Sequence, residues 1–298
     1  MMQNDTTIAR SKEAQQAQTI RIKPRWHMVV LEIVYYLLMV LFLVFCMLPL
    51  WSTALGSFKT NAEITTSSPV ALPVTWTLSG YANAMEALGM PLLNSLVVTI
   101  FGAAGSVFLG SICAYGLSKW KFKLNNLFFI LLVAATYLPF QAILIPLMRT
   151  MKDLDLLNNV WGLVLAHSVF GMPMCTTMMR GYYSEVPDAL VRQAMVDGNG
   201  TWQIYRKVIL PNTKIATITT FVFQCTSIWN EMLFALILTD QTAKPATIAL
   251  NEFVGSNAND MSALFAGSMI LALPMMIIYI FMGKYLISGQ MSGAVTAS

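Results

Sequence analysis

The chain has 298 residues, of which 56% are hydrophobic and only 11% charged, with a mean hydropathy of +0.63. A soluble domain carries roughly 25% charged residues, so this composition excludes an ordinary soluble domain and points to a protein that lives in lipid. The net charge of +4 is a matter of topology, as its distribution shows, and gives no reason to expect a nucleic-acid partner.

Residues 1–18 are polar, and residues 21–27 are basic and aromatic, suited to a membrane interface. Runs without Asp, Glu, Lys or Arg follow at 33–58, 87–118, 124–148, 156–179, 215–230 and 261–283. Crossing the hydrocarbon layer takes about 20 apolar residues. Five runs suffice as they stand; the run at 215–230 is interrupted by Glu231 and resumes to Thr239. Six transmembrane helices are predicted, because in lipid the backbone must satisfy its own hydrogen bonds, and a barrel would show short alternating segments. The fold class is all-α and polytopic. The first apolar stretch, 29–51, is too long for a signal-peptide core, lacks an evident small-residue cleavage site, and stays as a span. Residues 52–90 form the longest outer segment, with Pro69, Pro73 and Trp76, and have room for a small helix. Pro139, Pro146, Pro173 and Pro274 fall within spans, as kinks that serve motion or as packing irregularities. Cys46, Cys113, Cys175 and Cys225 also fall in spans, at no metal or disulfide spacing, and read as small buried hydrophobes. The resulting domains are a tail at 1–28, a transmembrane body at 29–290 holding a charged loop at 184–211, and a tail at 291–298.

Lys and Arg set the orientation. With the N-terminus inside, the inner side holds Arg10, Lys12, Arg21, Lys23, Arg25, Lys119, Lys121, Lys123, Arg180, Arg192, Arg206, Lys207, Lys214 and Lys284. The outer side holds only Lys59, Arg149, Lys152 and Lys244. Both termini are therefore expected in the cytoplasm of a multi-pass protein.

The charged loop reads as helix, glycine bend, helix, proline. Ser184 is a candidate cap with Pro187 in the first turn. Val186, Leu190, Val191 and Ala194 fall on an apolar face, with Asp188, Arg192 and Gln193 elsewhere. Gly198-Asn199-Gly200 ends the helix, since glycine takes the left-handed conformation freely. Thr201 then caps a second helix at 202–210, and Pro211 precedes span five. Such a unit either lies on lipid headgroups or docks on a cytoplasmic partner. In span five, Thr220, Gln224, Ser227 and Glu231 share one helical face, with Asn230 beside it. An acid in a span is a functional candidate by default, and the alternative for the stripe is interhelical glue. His167 reads as a packing residue. No cluster of metal-ligand spacing and no nucleophile–base pair is evident, and a Gly-x-x-x-x-Gly-Lys-Ser/Thr phosphate loop is missing. An ion-gradient-driven secondary transporter is one reading the residues allow, with Glu231 as its one clear ion-site candidate; a membrane-integral enzyme is a weaker one.

Ala194, Asp197, Gly198 and Val208-Ile209-Leu210-Pro211 have the spacing of the EAA loop, and the chain resembles the permeases of binding-protein-dependent ABC importers. Arg192 stands where that pattern has Glu, Gln193 where it has its first Ala, and Asn199 where it usually has Ala. Further matches run along the chain: Phe58 to Glu63, Trp76-Thr77-Leu78, Asn94-Ser95, Ala114-Tyr115-Gly116-Leu117, Leu144-Ile145-Pro146-Leu147, Trp229-Asn230-Glu231 and Tyr285-Leu286-Ile287-Ser288-Gly289. In order and spacing they are similar to the maltose-type (MalG-like) sugar permeases. That resemblance implies a type I ABC importer permease in the bacterial inner membrane, importing a sugar by alternating access. It implies a second permease subunit, two ATPase subunits that bind ATP and Mg, an extracytoplasmic solute-binding protein, and lipid around the spans. Arg192, Ala194, Asp197, Gly198, Leu210 and Pro211 would then belong to a coupling helix seated on an ATPase subunit, whose closure would pull on spans four and five. Thr220, Gln224, Ser227, Asn230 and Glu231 would line the translocation path or its gate. No catalytic residue, metal or cofactor is expected in this chain.

Overall fold

The computed structural model describes residues 26–256 and 260–295, with the backbone alone at 27, 253–256 and 284–295. The polar segment at 1–18, the basic residues from Arg10 to Arg25 and the end of the expected C-terminal tail lie outside the described residues. Two compact units divide the chain, Met1–Ser52 and Thr53–Ser298. The described part of the first is the body of helix α1 (Trp26–Gly56), strongly apolar from Ile33 to Trp51, with Pro49 near its end.

The second unit begins with α2 (Asn61–Thr66), the small helix expected in the outer segment; the Glu63 N–H donates to Thr60 Oγ1 at its N-terminus. Helix α3 (Ser79–Lys119) starts well before the charge-free run at 87–118. At 1.5 Å per residue its 41 residues extend about 60 Å, twice the hydrocarbon thickness. The expected third span is two helices, α4 (Asn125–Thr136) and α5 (Phe140–Asp153), bent by 96°. The break sits at Pro139, whose ring removes a donor and turns Leu138 away from helical backbone. Helix α6 (Val160–Glu185) follows; the Trp161 N–H donates to its cap, Asn159 Oδ1, at 2.9 Å.

The loop that follows holds α7 (Asp188–Val196), α8 (Thr201–Ile204), a π-helical turn (Tyr205–Ile209) and α9 (Leu210–Asn212). Pro211 accounts for the widened turn. It cannot donate to the carbonyl four residues back, and its ring crowds that carbonyl. Beyond lie α10 (Lys214–Asn230), α11 (Leu233–Leu238), α12 (Ala246–Ser256) and α13 (Met261–Val295).

Among the described residues, four helices are long and apolar enough to cross a membrane, or five if α4 and α5 count as one bent span. This departs from six unbroken spans in one further place. The expected fifth span, with one acid inside a continuous helix, stops at Asn230; Glu231 is extended, and α11 restarts after Met232. Glu231 itself makes the restart, because its carboxylate accepts the Leu233 N–H at 2.6 Å and the Phe234 N–H at 3.1 Å. The cysteines also differ from expectation: Cys175 and Cys225 are buried, Cys113 is half-buried and Cys46 is exposed.

Helices α3 and α6 form the central pair. Gly102, Ser106 and Gly110 recur every four residues along α3, and small residues let backbones approach. A Cβ at Gly110 would lie 2.5 Å from Cys175 Cβ, so only glycine fits. One buried cluster then joins this pair to the loop. It contains Val107, Ala114, Tyr115, Cys175, Met179 and Tyr183 from the helices, and Val186, Val191, Ala194, Ile204, Tyr205 and Ile209 from the loop.

Candidate functional site

The 184–211 loop is folded down onto its own bundle. Ser184 does not cap the first loop helix, since it belongs to α6 and its hydroxyl donates back to Gly181 O at 2.6 Å. Pro187 precedes α7 instead, suiting its fixed backbone. The bend is as the glycine requires. Gly198 has φ +78, its N–H donates to Met195 O at 3.0 Å, and the Asn199 N–H donates to Ala194 O at 3.0 Å. These two bonds define a Schellman end, with glycine in the left-handed position. Thr201 lies inside α8 and does not cap it; Gly200 holds the cap, its N–H donating to Gln203 Oε1 at 3.0 Å.

The apolar face of α7 is turned inward. Val186, Val191 and Ala194 are buried against the chain itself, so they leave no free docking face. What remains open around the bend is Leu190, Met195, Val196 and Trp202, with Arg192 and Asp197 also exposed. Leu210 is half-buried and Pro211 exposed.

Polar anchors fix the loop to α3. Lys119 Nζ, on a side chain only 3% exposed, donates to Val186 O at 2.5 Å and to Asp188 Oδ1 at 2.9 Å. The hydrogen bond from Lys119 and its charge hold the Asp188 carboxyl below its usual range, with smaller help from Arg192 and Lys121. Tyr115 Oη donates to Thr201 O at 3.3 Å. Ser111 Oγ lies 2.6 Å from both the Tyr183 and Tyr205 hydroxyls. Sequence reasoning counted Lys119 only as a topology charge and did not single out Ser111, Tyr183 or Tyr205. The signal that could have found the set is the four-residue spacing of Ser111, Tyr115 and Lys119, one face of a helix.

The stripe on α10 divides. Thr220 and Gln224 are buried, and Gln224 Nε2 donates to Ser106 Oγ on α3 at 3.3 Å. Ser106 in turn donates to Gly102 O or to His167 O, each at 2.8 Å. Ser227 and Asn230 are exposed, and the Asn230 amide donates to Thr226 O at 2.8 Å. Glu231 is half-buried at the helix break, its Oε2 3.8 Å from Nε2 of the buried His167. The five residues therefore do not line one common cavity. Gln224 joins α10 to α3, Thr220 is buried, and the outer three lie at the surface or the break.

Away from the loop, Asp260 gathers three elements. Asn61 and Asn83 donate to it at 3.1 and 2.8 Å, and the Ala263 N–H donates at 3.0 Å. Partial burial pushes its carboxyl up, but the bonds from Asn83, Ala263, Asn61 and Ser262 outweigh this and lower it.

A multi-helix bundle with broken spans and an anchored, glycine-bent loop between two of them defines a polytopic permease. The chain belongs to the family of binding-protein-dependent transport system inner membrane components, whose family model matches residues 106–288. It is a multi-pass inner membrane protein of the ABC importer permease class. A probable ABC transporter permease protein of Pyrococcus horikoshii is 38% identical, over 87% of this chain and 95% of that protein. The xylose/arabinose import permease protein XacI of Haloferax volcanii is 31% identical, over 87% of this chain and 91% of that one. Among solved structures, a chain of a bacterial ABC transporter involved in import of the acidic polysaccharide alginate shares the fold. Its TM-score is 0.76 at 24% identity, covering 86% of this chain and 96% of that chain.

Proposed function

We propose that this chain is the permease subunit of an ATP-driven importer that carries a sugar or oligosaccharide from a solute-binding protein into the cytoplasm. The observation that carries this reading is the anchored loop. Its inner face is buried, while Met195, Val196, Trp202 and Arg192 around the Gly198 bend are left uncovered. A surface of that kind suits a cleft on a separate ATPase subunit. The lack of a phosphate-binding loop in the sequence supports the same division of labour, with ATP and Mg bound by partner subunits. The sugar class rests on relatives such as the xylose/arabinose permease. The partners are a second permease subunit, two ATPase subunits and an extracytoplasmic binding protein, and the asymmetry of Lys and Arg supports cytoplasmic termini.

Within the chain, Ser227 and Asn230 with Glu231 form the edge of the translocation path, whereas Gln224 acts as interhelical glue and Thr220 is buried beside it. Reconstitution in liposomes tests the reading. With partner subunits and binding protein present, sugar uptake should require ATP inside the ATPase-accessible compartment and should be indifferent to proton and sodium gradients. Uptake that follows an ion gradient without ATP would instead favour a secondary transporter.

A further inference from the structure

We infer that α3, with α6 packed on it as one block, is the lever that carries movement of the 184–211 loop to the outer side of the protein, in preference to α10, the helix into which the loop continues. The inference deepens the proposed function, and it rests on the reading of the loop as the ATPase-coupling unit.

The covalent links are poor transmitters. On the α6 side, Val186 and Pro187 are extended, with ψ of 122 and 130, so a non-helical joint separates α6 from α7. On the α10 side, the π-helical turn and the single non-helical residue Thr213, with φ −122, break the α-helical register before Lys214, although the Thr213 N–H still donates to Ile209 O at 3.1 Å. A load applied at the bend meets a joint at either end. Joints of a few non-helical residues absorb backbone rotation.

The links to α3 have the opposite character. Ser111, Tyr115 and Lys119 stand on one face of a continuous helix and hold the loop at three separate places. Lys119 grips the start of α7 through Val186 O and Asp188. Tyr115 reaches the start of α8 at Thr201 O. Ser111 holds the π-helical turn through Tyr205. All three anchors sit on buried or half-buried α3 residues, where hydrogen bonds lose little to competing water. The Ser111–Tyr183 bond and the close α3–α6 packing make α6 part of the same block.

The far half of α3 is equally tied. Asn94 Nδ2 donates to Thr242 O at 3.1 Å and to Lys244 O at 3.0 Å. The Ala246 N–H donates to Ser95 Oγ at 2.8 Å, and Asn83 donates to Asp260. From Ser95 to Ser111 is 16 residues, about 24 Å of helix. The stretch of α3 from Asn94 to Lys119, on one side of Pro91, therefore holds the loop at one end and the 242–246 segment at the other. Movement of the loop reaches the outer side through it.

Two measurements on the assembled complex test this. Spin labels at Trp120→Cys on the end of α3 and Val196→Cys on the loop, with Cys46 and Cys113 replaced by alanine, report their separation. It should stay constant when the ATPases are trapped with vanadate, while a label pair at Val196→Cys and Ile215→Cys on α10 should change its spacing. A changing Trp120–Val196 separation overturns the inference. In the second measurement, S111A/Y115F/K119M should assemble and hydrolyse ATP but import about tenfold less sugar per ATP, since each lost buried hydrogen bond removes a few-fold of coupling. A merely structural role would lower assembly, uptake and hydrolysis together and leave that ratio alone. If the triple variant does not assemble, Y205F removes one hydroxyl and should lower the ratio a few-fold. A wild-type ratio in either variant overturns the inference. Absence of ATP-dependent uptake by the unmodified complex would count against the sugar-importer reading, and the label distances would still be readable with nucleotide alone.

Discussion

Glu231 and His167 face each other across a broken helix: Oε2 and Nε2 lie 3.8 Å apart, while the same carboxylate collects the N–H groups that begin α11. Two demands thus meet on one side chain. A helix start leaves donors without intrahelical partners, and an acceptor just ahead of it satisfies them. Glu231→Ala removes that acceptor and should lower stability by about 1–2 kcal/mol, seen as earlier thermal inactivation of the purified complex together with reduced uptake. Glu231→Gln keeps an oxygen in place and should retain most of both. Equal behaviour of the two variants would mean that the charge, and not the cap, is what matters at this position.

The bend at Gly198 gives a cleaner backbone test, because a Cβ there would meet nothing within 4 Å. Any cost of substitution comes from φ +78, a conformation that costs an L-residue about 1–2 kcal/mol. Import per ATP should therefore fall in the order Gly198, Gly198→Asn, Gly198→Ala, Gly198→Val, since asparagine tolerates left-handed backbone and β-branched residues resist it. Gly198→Asp should assemble and fall between the asparagine and alanine variants, since aspartate shares part of asparagine's tolerance of left-handed backbone. Wild-type import by the valine variant would refute the role of the bend.

Much of this loop was legible in the sequence, and the reason is local. Gly198 ending a helix depends on a few neighbouring residues, whereas the helix expected at 202–210 turns π-helical from Tyr205 to Ile209. The inward packing of Val191 and Ala194 was not legible, because an amphipathic pattern tells that a face is apolar and not what covers it. The break at Glu231 was hidden for a related reason. Periodicity treats 220, 224, 227 and 231 as one face of an ideal helix, and a side chain that takes over backbone donors leaves no mark in that pattern. Lys119 was misleading in a third way. A basic residue at the end of a span satisfies a topology count so readily that its bond to Asp188, 69 positions away, has no sequence signal of its own.

The Lys119–Asp188 pair carries a pH dependence with a definite sign. Asp188 is held below its ordinary value of 3.8, first by the hydrogen bond from Lys119. A depressed carboxyl stabilises the folded loop above the unfolded value and loses that contribution as pH falls through the folded one. The difference in thermal inactivation between wild type and Asp188→Asn should therefore be constant from about pH 6 to pH 8, far above the carboxylate range. It should close only in strong acid, below the ordinary aspartate range. A difference that changes near neutral pH would show that another group controls the contact.

Arg192 offers a test of the partner surface. It lies one turn beyond Asp188 on α7 and is exposed, on the same uncovered side of the loop unit that presents Met195 and Val196. The family pattern has Glu here, so the surface that receives this loop should present carboxylates or carbonyl oxygens in place of the cation an acid would meet. Charge complementarity at an interface acts mainly on specificity and association rate, and it weakens with salt. Arg192→Glu should therefore slow assembly with this chain's own ATPase subunits, with the defect largest at low ionic strength, where repulsion is least screened. Arg192→Gln should show a smaller defect with less salt dependence. Both are measured as association rates of detergent-purified subunits across a salt series. Association of Arg192→Glu at the wild-type rate at low salt would place Arg192 off the interface and leave Met195, Val196 and Trp202 as the contacts that seat the loop.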